Sequence, residues 1–197
     1  MKLLKYLFML LLLTIFGAGN AFAASAANTG GIMYGENYAF MISAPAGWVL
    51  DNESGKPDGL DAVFYHEGSS WLNAEMVMYI NAASLDNNKD YSTLDQFMKY
   101  DAENFANARI VKGDDIKVGK YGVAKVKYFS YFSKEHENFE AVAYLEHDQQ
   151  KSDSVDQGRT AVMFVLSSRS KEGFESSKQA FQSLVKSYMP MAKTKGS

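Results

Sequence analysis

The sequence predicts an α+β protein, an α/β/α sandwich in which helices cover both faces of a largely antiparallel sheet. Residues 161–166 are apolar at every position, which is typical of a strand buried on both faces in the middle of a sheet. A helical pattern follows that strand directly. Elsewhere strands follow one another in runs, so the alternation of strand and helix that builds a doubly wound parallel sheet is missing.

The N-terminal segment predicts an export signal. Two lysines precede an almost wholly apolar run at residues 6–16, and residues 21–23 (Ala-Phe-Ala) fit the small-residue pattern of a cleavage site. We therefore assign residues 1–23 to a signal peptide. A second possible cleavage site at residues 24–26 (Ala-Ser-Ala) and a retained N-terminal anchor are the alternatives, although the apolar run is shorter than the roughly 20 residues of a membrane span.

The signal segment predicts a periplasmic or secreted protein, and composition and charge limit its possible partners. The signal segment carries two lysines and no acidic residue, so its removal changes the formal net charge from −3 to −5. The absence of cysteine excludes disulfides and a lipid anchor on cysteine. Because the basic residues are not clustered, we expect no nucleic-acid partner and no membrane insertion after cleavage.

The rest of the chain predicts one domain at residues 34–190, between a flexible lead-in at residues 24–33 and a tail at residues 191–197. Apolar patterns of period two predict strands at residues 38–42, 60–65, 74–82, 110–112 and 116–118. A helix capped by Ser92 or Thr93 should separate the third and fourth of these strands.

Further elements follow from local patterns. That first helix should end near Asn107. The clearest hairpin has a four-residue loop at residues 134–137 and places Ser133 opposite Asn138, so that apolar residues pair with apolar residues. The last helix should begin after a cap at Ser170 and bury an apolar stripe formed by Phe174, Phe181, Leu184, Val185 and Tyr188.

Residues 38–48, in which a strand ends in Ser-x-Pro-x-Gly-Trp, resemble the opening of the PsbP/Mog1-like superfamily. The order of elements is similar over residues 34–189. The resemblance implies an α/β/α sandwich and a non-catalytic adaptor or binding role, since members include an extrinsic photosystem subunit, a nuclear Ran-binding factor and bacterial envelope proteins. No functional residue of a member matches a residue here, so none is carried over.

Motifs for catalysis are weak. The sequence has no cysteine nucleophile, no Gly-x-Ser-x-Gly and no glycine-rich phosphate loop. His66 lies near Ser69 and Ser70, but a serine triad needs a histidine brought in by the fold. The adjacent acids Asp114 and Asp115 would need burial to acquire a useful pKa. We therefore expect no catalytic residue.

Motifs for metals are also incomplete. Residues 86–90, with the pattern Asp-x-Asn-x-Asp, begin like a calcium loop. Tyr91 and Phe97, however, stand where such a loop needs glycine and glutamate. Residues 136–140 begin like a zincin motif without its second histidine. We expect no metal and no cofactor, and we expect the histidines to be solvated.

The candidate binding residues are Trp48, Tyr65, His66 and Trp71, which lie at strand ends and in loops where a cleft beside the sheet edge could gather them. The alternative is that the aromatic residues close the open end of the sandwich. The sequence favours an exported, soluble, non-enzymatic protein of the bacterial cell envelope that binds a protein partner or a small ligand. A hydrolase using carboxylates or His66, and an assembly or chaperone accessory for an exported substrate, are the alternatives.

Two kinds of site would distinguish these hypotheses. A deep pocket that holds two or more ionisable groups would favour an enzyme. A flat, aromatic-rimmed groove would favour binding.

Overall fold

The computed structural model describes residues 30–35, 38–86, 88–105, 107–133, 136–148 and 158–191. The expected signal peptide and all but one residue of the expected tail lie outside these residues. Strands dominate the described residues and every pairing between them is antiparallel, so the predicted α+β class with a largely antiparallel sheet is confirmed. In this part of the chain, neither α-helix has the length and apolar character needed to span a membrane.

The elements follow the chain in this order: β1 (Gly30–Gly35), β2 (Tyr38–Ser43), β3 (Trp48–Asp51), β4 (Ala62–His66), β5 (Met76–Ser84), α1 (Leu94–Glu103), β6 (Arg109–Lys112), β7 (Ile116–Val118), β8 (Gly122–Ser133), β9 (His136–Asp148), β10 (Arg159–Ser168), α2 (Lys171–Lys186) and β11 (Met189–Pro190). The larger sheet has the strand order β3-β4-β5-β10-β9-β8-β6, with β7 paired to β8. The smaller sheet joins β1, β2 and β11.

Strand β10 lies in the middle of the larger sheet, as its apolar sequence predicts. Val162, Phe164 and Leu166 belong to the buried cluster that contains the apolar side chains of α2. Ala161 and Val165 belong to the cluster that contains those of α1. Because successive side chains of a strand point to opposite faces, these two buried clusters lie on opposite faces of β10.

Both helices begin at the predicted caps. The Thr93 hydroxyl accepts a hydrogen bond from the Gln96 amide at 3.2 Å, and the Gln96 side chain accepts one from the Ser92 amide at 2.8 Å. The Ser170 hydroxyl accepts a hydrogen bond from the Gly173 amide at 3.1 Å. Each cap satisfies an amide that the first turn of a helix leaves without a partner.

Helix α1 is shorter than predicted. It ends at Glu103, whereas the sequence pattern placed its end near Asn107, which instead adopts a left-handed conformation with φ of 73°. The ring of Phe105 packs on Phe129 with 4.6 Å between centroids. The chain therefore leaves the helix early and packs the half-buried Phe105 against the sheet.

The predicted register of the β8–β9 hairpin is wrong by two residues. Ser133 lies opposite His136, whereas the prediction placed Asn138 there, because the strands continue to pair beyond the predicted loop ends. A shift by an even number keeps every side chain on its predicted face of the sheet. Only the cross-strand neighbours change.

The shift has its largest consequence at Glu140. This residue lies opposite Phe129 in the apolar part of the sheet, and its predicted partner Tyr131 becomes its diagonal neighbour. The Tyr131 hydroxyl still donates a hydrogen bond to Glu140 Oε1, at 2.9 Å.

The lead-in is also shorter than predicted among the described residues. Residues 30–33, which the sequence analysis assigned to it, form the first part of β1, and Met33 is buried opposite Phe40 of β2. Strand β11 pairs with the other edge of β2 directly after α2 ends. The small sheet therefore connects the start of the domain to its last helix.

Candidate functional site

Two of the four predicted site residues lie together. Trp48 begins β3 after a turn in which its amide donates to the Pro45 carbonyl at 3.0 Å, and Gly47 supplies the left-handed φ of 78°. Its ring stacks on His66, the opposite residue of β4, with 4.1 Å between centroids. Trp48 is only 3% exposed and belongs to the buried cluster on the α2 side of the sheet.

The other two predicted site residues, Tyr65 and Trp71, lie on the opposite face of the larger sheet. The Tyr65 hydroxyl donates a hydrogen bond to Asp51 Oδ2 at 2.9 Å. The Trp71 indole donates one to Asp58 Oδ2 at 3.1 Å, and its ring meets that of Tyr79 edge-on at 6.2 Å. Adjacent residues of a strand point to opposite faces, so Tyr65 faces away from Trp48 and His66.

The structure therefore divides the four residues into two pairs and does not gather them in one cleft. None of the four residues lines either of the two clefts that are described below. Their role in binding stays a prediction from the sequence.

The acidic residues named in the sequence analysis are not buried as an acid pair. Asp114 and Asp115 are both exposed. Asp86, the first residue of the calcium-like pattern, accepts hydrogen bonds from the Arg159 amide at 2.6 Å and guanidinium at 3.0 Å, which lower its carboxyl pKa. Within the described residues, no three His, Asp or Glu side chains are grouped closely enough to hold a metal ion.

His147 departs from the expectation that the histidines are solvated. It is 4% exposed, and its Nδ1 forms a hydrogen bond with the hydroxyl of Tyr188. His66 is partly exposed, and the side chain of His136 lies outside the described residues. Side chains alternate along β9, so His147 points to the α2 side of the sheet. The apolar pattern of the strand did not indicate a buried histidine there.

One cleft, the end cleft, has a volume of about 470 Å³ and lies between the start of α1, the β7–β8 turn and β11. His147, Tyr188 and Tyr121 line it. Its two carboxylates are engaged in ion pairs: Asp95 with Lys125 at 2.6 Å and Glu146 with Arg159 at 3.8 Å. Asp95 and Lys125 are both substantially exposed, so this cleft does not hold a buried acid–base pair.

A second cleft, the edge groove, has a volume of about 340 Å³ and runs between the edge strand β6 and helix α2. Val111 of β6 and the rings of Tyr128, Phe139 and Phe174 give it an aromatic lining. The Phe174 ring lies 6.0 Å from that of Tyr128 and 6.1 Å from that of Phe139. The three rings thus form one continuous contact surface at the side of the sheet.

Charged residues border the edge groove. Arg109 and Glu137 lie on the strand side, and Lys171, Glu175 and Lys178 lie on the helix side. Lys178 pairs with Glu175 at 2.7 Å, and its ammonium group lies 4.9 Å from the ring centroids of both Tyr128 and Phe174. Such contacts between a cation and an aromatic face hold the lysine over the groove.

An exposed phenylalanine extends this surface. Phe132 is 79% exposed and lies on the same face of β8 as Tyr128, opposite Glu137 of β9. A single exposed apolar side chain is common, but one on the same face as an aromatic-lined groove enlarges a contiguous apolar patch. The edge groove and Phe132 together match the flat, aromatic-rimmed type of site.

Sequence reasoning missed the edge groove. The sequence did not indicate the groove residues Tyr128 and Phe139, because the groove forms only when β6 and α2, which are 59 positions apart at Lys112 and Lys171, are brought beside β8. One usable signal was Phe132, because a phenylalanine next to a predicted hairpin turn is a candidate for exposure.

Comparisons with known proteins give no sequence relative. No family model matches the chain, and no curated protein matches it.

Comparison of structures does find similar folds. LpqN of Mycobacterium tuberculosis, described as involved in cell envelope biogenesis, aligns with a TM-score of 0.55 and 10% identity over 82% of this chain and 90% of that chain. A cyanobacterial PsbP from Synechocystis aligns with a TM-score of 0.46 and 11% identity over 90% and 99%. A point mutant of Mog1 aligns with a TM-score of 0.48 and 12% identity over 83% and 97%. The chain shares the fold of LpqN, and its structural neighbours include the PsbP and Mog1 proteins whose superfamily its opening motif resembles.

Proposed function

We propose that this chain is an exported, soluble, non-enzymatic protein of the bacterial cell envelope that binds a protein partner through the edge groove. The observation that carries the proposal is the continuous aromatic lining of the groove, continued by the exposed ring of Phe132. Aromatic residues at a protein surface supply much of the binding energy in many interfaces.

The envelope location rests on two supports. The N-terminal sequence has the pattern of a cleaved signal peptide. LpqN, with which the chain shares its fold, is described as taking part in cell envelope biogenesis. We also propose that the sheet with its two helices amounts to the α/β/α sandwich of the resemblance, a fold used for binding roles in its members.

Capture of envelope proteins tests the binding role. The mature chain, residues 24–197, is tagged and crosslinked in an envelope extract of the source bacterium, alongside Phe132→Ser and Leu72→Ser. Leu72 is the matched control, because it is 81% exposed and lies in the connection between β4 and β5. We expect the wild type and Leu72→Ser to capture the same defined protein and Phe132→Ser to lose it.

Equal capture by all three proteins, or no specific capture by the wild type, would contradict the proposal. A hydrolase screen of the mature chain adds an independent measurement. Turnover that disappears in His66→Ala would replace the binding role by an enzymatic one.

Export is tested separately. We expect the chain to appear in the osmotic-shock fraction with an N-terminus at residue 24, measured by mass spectrometry. A full-length chain retained in the membrane fraction would instead support the uncleaved anchor.

A further inference from the structure

We propose that the edge groove receives an extended, acidic peptide segment of the partner, which adds to the larger sheet as a new strand beside β6. The inference rests on the proposed function and specifies the chemistry of the partner. It depends on three features of β6 and its surroundings: an open backbone edge, an adjacent aromatic lining and a local excess of positive charge.

The open edge follows from the hydrogen bonding of β6. The Gly113 amide donates to the carbonyl of Val126, the residue opposite it, at 2.9 Å. In an antiparallel pair such directly bonded residues alternate, so Val111 and Arg109 also direct their backbone groups toward β8. The backbone N–H and C=O groups of Ile110 and Lys112 therefore point away from the sheet, and no described residue bonds to them.

An edge of this kind can pair with another strand. All four residues of β6 are exposed, including Ile110 at 42% and Val111 at 46%. A peptide paired with Ile110 and Lys112 would place every second side chain on the α2 side of the sheet. Those side chains would lie along the groove beside Val111 and Tyr128, where large apolar groups can bury area against the rings.

The charge around the groove selects an acidic segment. Arg109 and Lys171 have no carboxylate within 4.0 Å among the described residues, whereas the neighbouring Lys178 is paired with Glu175. The N-terminus of the 16-residue helix α2 lies at Lys171 and adds partial positive charge. With Glu137 and Glu175 counted, the groove is lined by three basic and two acidic side chains, an excess of one positive charge on a chain whose net charge is −3, and this excess favours acidic side chains.

The same charges disfavour a second copy of this chain as the occupant. The sequence of β6 is Arg-Ile-Val-Lys. Antiparallel pairing of two β6 strands through their outward residues Ile110 and Lys112 would bring Arg109 and Lys112 of both copies together along one seam. Repulsion between these four positive charges destabilises such a pair.

The test uses two short fluorescent peptides and the mature chain. In the first peptide glutamate and phenylalanine alternate with threonine, and in the second lysine replaces every glutamate. Binding is measured by fluorescence anisotropy, and amide hydrogen exchange by NMR. We expect the acidic peptide to bind, the lysine peptide not to bind, added salt to weaken binding, and the amides of Ile110 and Lys112 to gain protection.

Variants separate the backbone from the charges. Ile110→Pro removes the outward N–H but no bond to β8, and we expect it to weaken binding about tenfold, as the loss of one hydrogen bond predicts. Ile110→Val keeps the N–H and should bind like the wild type. Arg109→Glu with Lys171→Glu should abolish binding, whereas Lys99→Glu with Lys117→Glu, the same change of charge at exposed positions elsewhere, should not.

Several results would overturn the inference. These are failure of the acidic peptide to bind, equal binding of the lysine peptide, binding without protection of Ile110 and Lys112, or self-association of the chain that Ile110→Pro prevents. If the acidic peptide fails while capture of an envelope protein still depends on Phe132, the strand-addition inference is wrong and the proposed binding role stands. If both fail, the proposed function is wrong as well.

Discussion

The two faces of the larger sheet differ in the length of the helix that covers them and in the polarity of the side chains buried there. On the α2 face, a 16-residue helix and the small sheet complete a continuous cluster around Phe164, Tyr188 and Phe40. On the α1 face, a 10-residue helix completes a smaller cluster, and the carboxyl group of Glu140 is buried beside it. We infer that the α2 face supplies most of the stability and that the α1 face makes it depend on pH.

The largest expected effect tests the difference in stability. Leu184 of α2 is fully buried, and we expect Leu184→Ala to lower the free energy of unfolding by about 4 kcal/mol, through lost apolar contact and a residual cavity. Leu94, at the first turn of α1, is 8% exposed, and we expect about 2 kcal/mol for Leu94→Ala. Urea unfolding of both variants measures the difference. An equal loss would contradict the inferred division between the faces.

The next effect concerns Glu140. Glu140 is 4% exposed, and its Oε2 has no hydrogen-bond partner among the described residues. Burial raises its pKa, although hydrogen bonds from Tyr131 and Ser167 act in the opposite direction. The folded protein then holds a proton that the unfolded chain has released, so stability falls as the pH rises from the unfolded pKa to the folded pKa.

Glu140→Gln tests this dependence. We expect the substitution to raise the unfolding midpoint at neutral pH and to have little effect near pH 3, where the carboxyl group is protonated in both states. Glu137→Gln is the control, because Glu137 is an exposed glutamate of the same strand. A loss of stability in Glu140→Gln at neutral pH would show that the ionised carboxylate is stabilised in the fold.

Some features of the two faces could be predicted from the sequence and others could not. The central position of β10, both helix caps and the hairpin faces depend on local patterns, so they were predicted correctly. The hairpin register was not, because a shift of two residues preserves every face and only the tip distinguishes the alternatives. Burial of Glu140 and of His147 depends on which strands and helices cover β9. The edge groove likewise requires contacts between distant segments, so no local pattern indicated it.

A smaller effect of opposite sign is expected at Asp51, on the same face as Glu140. Burial favours its neutral form, but hydrogen bonds from Ser54, from the Glu53 amide and from Tyr65 prevail and lower its pKa to about 2. The stability that this carboxylate contributes is present above its unfolded pKa and is lost as the pH falls toward 2.

NMR titration of Asp51 in Tyr65→Phe checks the cause. Removal of the hydroxyl donor should raise the Asp51 pKa and reduce the loss of stability in acid. Phenylalanine keeps the ring, so packing is unchanged and serves as the internal control. A pKa that stays near 2 would assign the effect to the Ser54 and Glu53 hydrogen bonds alone.

The smallest effects compare the two helix caps. Ser170→Ala and Thr93→Ala each remove one hydrogen bond to a first-turn amide, and we expect each to cost about 1 kcal/mol in its own helix. Helix α2 covers the main cluster and should unfold only with the whole domain. Ser170→Ala should therefore lower the free energy of global unfolding, and the α2 amides should still exchange only when the whole domain unfolds. Helix α1 covers less, so Thr93→Ala should speed exchange of α1 amides before global unfolding changes. Hydrogen exchange of both variants measures this, with Ser183→Ala, an exposed site in α2, as the control. Identical behaviour of the two helices would mean that α1 is as firmly fixed as α2 and that the faces differ in polarity alone.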